Sequence, residues 1–268
     1  MILGSQPLAT IDAATLASMV AAAGYVAAAL PAKPSARWPS VTLALGWLAH
    51  FIALVLDIGG WGQELPGPRL GFAPVLSITV WLVIAVHTVE SRWLPLPSVR
   101  MGLAAAGALA VVVAAAYPGE LRRFTSPLGP FHFVLGVASY GLFGAAVLHA
   151  LMLDASERGL RLHKSVPWGL PLMQLERLTF RFVDAGFIVL TATLVLGVLA
   201  PGGVRFNHKT VLSVLAWLVF ASLLAGHRLH GWRGRRATRW IYGGALLLML
   251  AYVGSRFVFE VLLERPAV

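Results

Sequence analysis

Residues 73–91 read APVLSITVWLVIAVHTVES, and their interpretation decides the fold. From Ala73 to Val89 no charge interrupts the run, and Glu90 comes only at its end. A strand with one wet face would alternate apolar and polar residues; this run does not alternate, so a lipid-facing β-barrel strand is excluded. At 1.5 Å per residue a helix of this length crosses a hydrocarbon core, which needs about 20 mostly apolar residues. Seven further segments carry the same signature: 9–30, 39–57, 98–117, 130–153, 178–200, 209–229 and 240–263. The expected fold is therefore all-α, a polytopic membrane bundle of about eight helices in a single transmembrane domain spanning 1–268.

The totals agree. Of 268 residues 58% are hydrophobic and 12% charged, and the mean hydropathy is +0.79. Soluble domains carry about twice that share of charge, so a soluble enzyme, a disordered chain and a nucleic-acid-binding domain are excluded despite a net charge of +10. The chain has no cysteine, which excludes disulfides, thiolate metal sites and covalent haem attachment. No basic stretch precedes the first apolar run, so that run is expected to remain as a span and not to be cleaved as a signal peptide.

The basic residues set an orientation. Of 21 Lys and Arg, 14 fall in the odd-numbered loops, among them Lys33, Arg37, Arg158, Arg161, Arg233, Arg235 and Arg236. Five fall in the even loops: Arg69, Arg122, Arg123, Arg205 and Lys209. The positive-inside bias places the odd loops in the cytoplasm and both termini outside. The longest connection, Asp154 to Arg177, contains Pro167, Trp168 and Pro171 and is expected to lie partly as an interfacial turn.

Catalytic motifs for phosphate binding, serine hydrolysis and zinc proteolysis are absent, so no enzyme is expected. Intramembrane acids are few, with Asp184 the main one, whereas proton-coupled transporters carry more. Eight histidines stand out, six of them in or at the ends of spans. His132 opens the fifth span and His208 precedes the seventh, so both belong at the outer level. His87, His149 and His227 fall near the cytoplasmic ends of their spans, and His50 is mid-span. His132 and His149 are 17 residues apart, roughly 25 Å along a helix, and so belong to opposite sides of the membrane. Two imidazoles at one level, with no thiolate and few carboxylates, suit axial ligation of a haem iron by His132 and His208. Arg256 or Arg205 would then meet a propionate. The competing structural readings are helix-bridging hydrogen bonds for the histidines and an i,i+4 pair with Glu260 for Arg256. His163 and His230 fall in basic loops.

Three stretches carry a resemblance: His132 through Ser139-Tyr140-Gly141; Leu175-Glu-Arg-Leu178 through Arg181, Gly186-Phe187 and Leu190-Thr191 to Gly197; and His208-Lys209-Thr210 through Trp217 and His227 to Gly231-Trp232-Arg233-Gly234, then Tyr252 and Gly254. In this order and spacing the second half resembles the cytochrome c assembly family of haem-handling membrane proteins (CcsA-, CcmC- and HemX-like members), most of all its short bacterial inner-membrane branch. The resemblance covers about residues 130–260. Residues 1–129 read as a variable four-helix front half, matching only loosely at Gly71-Phe72-Ala73-Pro74, and 130–268 as the family-like half.

The resemblance implies a protein of the bacterial inner membrane that binds non-covalent, b-type haem and presents it near the outer face. The partners it implies are the bilayer, haem, and a further membrane protein or an apocytochrome, with no nucleic acid. By resemblance His132 fits the first outer haem histidine, His227 approximates the histidine near the cytoplasmic end of the following helix, and His208 falls where the family has a P-K-E-T segment. The chain departs from the family pattern elsewhere. Pro201–Asn207 replaces the tryptophan-rich outer loop, Leu263 stands where a second outer histidine belongs, and Phe72 where an intramembrane histidine does. The alternative function is a non-haem accessory or regulatory subunit of the HemX-like kind, or a small-solute transporter.

Overall fold

The computed structural model describes residues 12–33, 35–60, 68–91, 96–122, 124, 126–162, 172–200 and 207–263. The first residues of the expected span 9–30, together with His163, Pro167, Trp168, Pro171 and Arg205, lie outside them. Among the described residues the chain is a bundle of eight helices: α1 (Ala13–Ala29), α2 (Trp38–Gly59), α3 (Phe72–Glu90), α4 (Pro97–Ala116), α5 (Leu128–Arg161), α6 (Leu172–Leu199), α7 (His208–His230) and α8 (Gly234–Met249). α8 continues to Leu262 through two wider, π-helical turns, Leu250–Gly254 and Val258–Leu262. Seven helices are long and apolar enough to cross a membrane, and α1, at 17 residues, is the shorter apolar helix. A two-stranded antiparallel ribbon, β1 (Arg69–Leu70) with β2 (Glu120–Leu121), was not legible in the sequence.

The helices form two groups. α1 packs on α2 and α4, and α3 on α4; α5 packs on α6 and α8, and α7 on α8; α3 against α5 is the seam between the groups. α1 and α2 approach so closely that a Cβ on Gly24 would stand 2.8 Å from Gly46 Cα. In lipid, where no hydrophobic force presses helices together, such contact is a main source of association. The rear core centres on Phe143 and Phe220, stacked at 3.8 Å, with Val183, Leu223 and Ile241 around them. Outward faces are apolar instead: Ile188 is 68% and Leu229 78% exposed. A chain with bare leucine and isoleucine outside and packed aromatics inside is built for a hydrocarbon solvent.

Three expected boundaries move: α6 begins at Leu172 in place of 178, and two others move together. α5 runs on to Arg161 and α8 begins at Gly234, six residues before the expected start at 240. One carboxylate explains both shifts. Thr238 and Tyr242 of α8 donate hydroxyl hydrogen bonds to Asp154 of α5, each at 2.9 Å. Polar residues beyond the apolar run are thereby satisfied helix to helix, and both helices continue. The connection that the sequence reads as Asp154 to Arg177 is therefore helical over its first and last parts.

Candidate functional site

The family-like motifs prove largely architectural. Thr191 Oγ accepts the Trp217 indole N–H at 2.9 Å, and Phe187 stacks on Trp217 at 5.4 Å, so this stretch locks α6 to α7. Gly186 lies under Phe143, where a Cβ would meet the ring at 3.0 Å. In the turn from α7 to α8, Gly231 takes a left-handed φ of 62° at the C-cap, the Trp232 N–H donates to Gly226 O, and the Arg236 guanidinium sits 3.9 Å over the Trp232 ring. The Tyr140 hydroxyl donates to Leu248 O. That carbonyl lies where α8 begins to widen, and a widened turn leaves a main-chain carbonyl short of its usual donor.

Between the pairs α5/α6 and α7/α8 is a cavity of about 530 Å³, within the range of small-molecule sites. Its apolar body is formed by Leu190, Leu194 and Leu248, with Ser139, Ser213 and Tyr252 adding hydroxyls. His132 and Lys209 stand at the end where α5 and α7 begin, and both also line an adjoining mouth of about 420 Å³ with Arg122, Tyr252 and Arg256. Three cations thus stand at the mouth of an apolar body, Arg256 among them paired with Glu260 and Glu120.

His132 is held on two sides. Its Nδ1 lies 3.0 Å from Thr193 O, an acceptor only, so Nδ1 carries the hydrogen and donates it. In the neutral ring Nε2 then keeps its lone pair, the arrangement by which a carbonyl orients a metal-binding imidazole. The ring lies over Gly197, where a Cβ would meet Cε1 at 3.2 Å. Arg256 is 2% exposed; its Nη1 pairs with Glu260 at 3.2 Å and Glu120 at 3.6 Å. The i,i+4 pair anticipated from the sequence thus forms, yet among the described residues the buried Arg256 Nε–H finds no partner. A buried unmatched donor costs free energy.

The other candidate histidines are elsewhere. His208 is not among the residues lining the cavity or its mouth; exposed at the start of α7, its ring is 6.0 Å from that of Phe259. The structure brings Lys209, not His208, into the space that His132 shares. His227 lies towards the opposite end, stacked on Phe180 at 3.5 Å with Nδ1 2.9 Å from Trp232 O, beside Glu176, Asp184 and Arg233. His50 bridges helices, between the Tyr25 hydroxyl at 3.0 Å and Ser77 Oγ at 2.7 Å. His149 Nδ1 donates to Ala145 O at 2.8 Å and its Nε2 meets Glu90 Oε2 at 3.2 Å. Both ring nitrogens thus face oxygen atoms, one on α5 itself and one on α3. Sequence reasoning missed Glu90. Its signal was the lone acid closing the run 73–91. Asp184, singled out instead, pairs with Arg228 at 2.6 Å in an exposed contact.

Comparison with known proteins decides the family. The model of the cytochrome c assembly protein family matches residues 39–263. The chain belongs to the cytochrome c assembly family. The match reaches from α2 to the end of α8, so the front helices beyond α1 share it. The inner membrane protein YpjD of Escherichia coli is 32% identical over 238 residues, covering 84% of this chain and 88% of that protein. A 28.8 kDa protein of Azospirillum brasilense is 31% identical over 207 residues, 70% of this chain and 76% of its own length. The cytochrome c biogenesis protein CcsA of Prochlorococcus marinus is 21% identical over 250 residues, 78% of this chain and 79% of CcsA. No solved structure matches the chain. This cytochrome c assembly protein is therefore a multi-pass membrane protein related to inner-membrane relatives.

Proposed function

We propose that this cytochrome c assembly protein binds haem, non-covalently, in the cavity between α5/α6 and α7/α8, and holds it near the outer face of the bacterial inner membrane. His132 would hold the iron, through Nε2. Arg256 and Lys209 receive the propionates, with Arg122 beside them at the mouth. When bound, haem supplies the iron and its redox chemistry; the chain binds, orients and shields it and makes or breaks no bond itself. The observation that carries the reading is the His132 imidazole, fixed by Thr193 O and Gly197 beside a cavity of ligand size whose mouth is lined by Arg122, Lys209 and Arg256. On this reading His208 and His227 are not first choices as ligands, since neither lines the cavity. The basic ends of α5, α6 and α8 face the cytoplasm, and haem passes to a further membrane protein or an apocytochrome.

The test is an absorption spectrum of purified protein, oxidised and reduced, after haemin is added. A Soret band with the bands of a histidine-ligated haem is expected. His132→Ala should lose or shift it, His132→Gly should regain it with imidazole in the buffer, and His208→Ala should leave it in place. No Soret band, or a band indifferent to His132→Ala, overturns the assignment.

A further inference from the structure

α6 and α7 are joined unevenly along their length. At mid-span Trp217 is bonded to Thr191 and stacked on Phe187. Further from the cavity come the Phe180–His227 stack and the Arg228–Asp184 pair. Towards the His132 end the same two helices flank the cavity, and Val198 of α6 and Val214 of α7 line it. Both valines also face outward, 56% and 41% exposed. A side chain that lines a cavity and lies open on the molecular surface marks a rim. Val214 is six residues into α7, about 9 Å from its start; Val211, Leu215 and Leu218 beside it on α7 are exposed, as is Val195, one turn before Val198 on α6. Such a surface belongs against acyl chains and not water. The opening therefore gives onto the bilayer, with the Trp217–Thr191 bond as its lower limit.

The interior matches that direction. Leu190, Leu194 and Leu248 form the body, while Lys209 and, at the mouth, Arg122 and Arg256 lie towards the membrane boundary. We propose that the cavity fills sideways from the bilayer, through a slot between α6 and α7 bounded by Val198 and Val214, and takes a membrane-partitioned amphiphile with an apolar body and carboxylate groups. This deepens the haem reading of the same cavity, on which it rests, by assigning the route and the ligand class. An amphiphile arriving by this path keeps its apolar body in hydrocarbon throughout and exposes only its acids, which pass along the headgroup level to the cations.

The chain has no cysteine, so Val198→Cys/Val214→Cys supplies a unique pair. The doubly substituted protein, in lipid nanodiscs, is joined with a bis-maleimide containing a reducible link, and metal-free protoporphyrin IX is offered from liposomes. Uptake is read by energy transfer from tryptophan. The expected result is loss of the fast uptake phase in the cross-linked protein and its return on reduction. Uptake at the uncross-linked rate overturns the route, and no uptake by uncross-linked protein overturns the ligand class. Should the double variant not fold, a spin label on Val214→Cys alone decides: relaxation by oxygen over a water-soluble nickel chelate supports the slot, and the reverse order overturns it. Protoporphyrin has no iron for His132, so the two readings separate. Porphyrin entry without a histidine-ligated haemin spectrum leaves the route and removes the haem assignment; ligated haemin with an indifferent cross-link does the opposite.

Discussion

A methyl group on Gly197 would stand 3.2 Å from Cε1 of His132, closer than packed carbons tolerate without movement. Gly197→Ala should therefore displace the imidazole from its bond to Thr193 O. A strained insertion of this kind costs about 1–3 kcal/mol, and on the haem reading it should appear as weaker haemin affinity with the thermal transition nearly unmoved. A titration followed by Soret absorbance, beside a melting curve, checks it; unchanged affinity would remove Gly197 from the site. Arg256 should behave in the opposite way. It is buried against Glu260 and Glu120, so Arg256→Ala leaves a carboxylate without its cation. Breaking a buried pair from one side costs about 3–5 kcal/mol, and the loss should register as a lower melting temperature before any ligand is added.

At the scale of elements, α3 is fastened to the rear helices at both of its ends. Its first residue, Phe72, donates its backbone N–H to Glu260 Oε2 at 3.3 Å. Its last, Glu90, meets His149 of α5 at 3.2 Å. Each fastening is a carboxylate, and together they hold the seam between the two helix groups. Around the second lie His87 on α3, Arg100 on α4 and the Phe182 ring on α6. Glu90→Ala leaves the buried imidazole without its partner, and a lost hydrogen bond to a buried group costs about 1–3 kcal/mol. Glu90→Gln keeps a donor for a neutral His149 Nε2 and should retain most of the stability. Thermal unfolding of both variants in one detergent tests this: equal losses would show that the bridge contributes nothing specific.

At the scale of the whole molecule, seven helices are long and apolar enough to cross a membrane and α1 is shorter; on the expectation that all eight cross, both termini lie on one side. On the reading proposed above, the excess of basic residues in the odd loops puts that side on the exterior. A reporter active only in the cytoplasm should then be silent at either terminus and active when inserted after Arg233, in the turn before α8. The opposite pattern would invert the molecule and put the His132 cavity on the cytoplasmic side, which would remove the outer-face presentation while leaving the cavity chemistry intact.

The sequence by itself determined the helices, their approximate number and the family, because an apolar run of about 20 residues has few alternatives in lipid and because Leu175–Gly197 and Gly231–Gly234 keep a spacing set by helix contacts. It marked His132 and Arg256 as candidates. It did not separate His208 from Lys209, since adjacent residues on a helix point about 100° apart and only packing shows which one faces the cavity. Nor did it reveal that Asp154 extends two helices, that Glu90 pairs with His149, or that α6 and α7 part above Trp217. Each depends on which helix lies beside which, and continuous apolar runs carry almost no information about neighbours. Composition chose the solvent of this protein; tertiary contact chose the few polar groups that meet inside it.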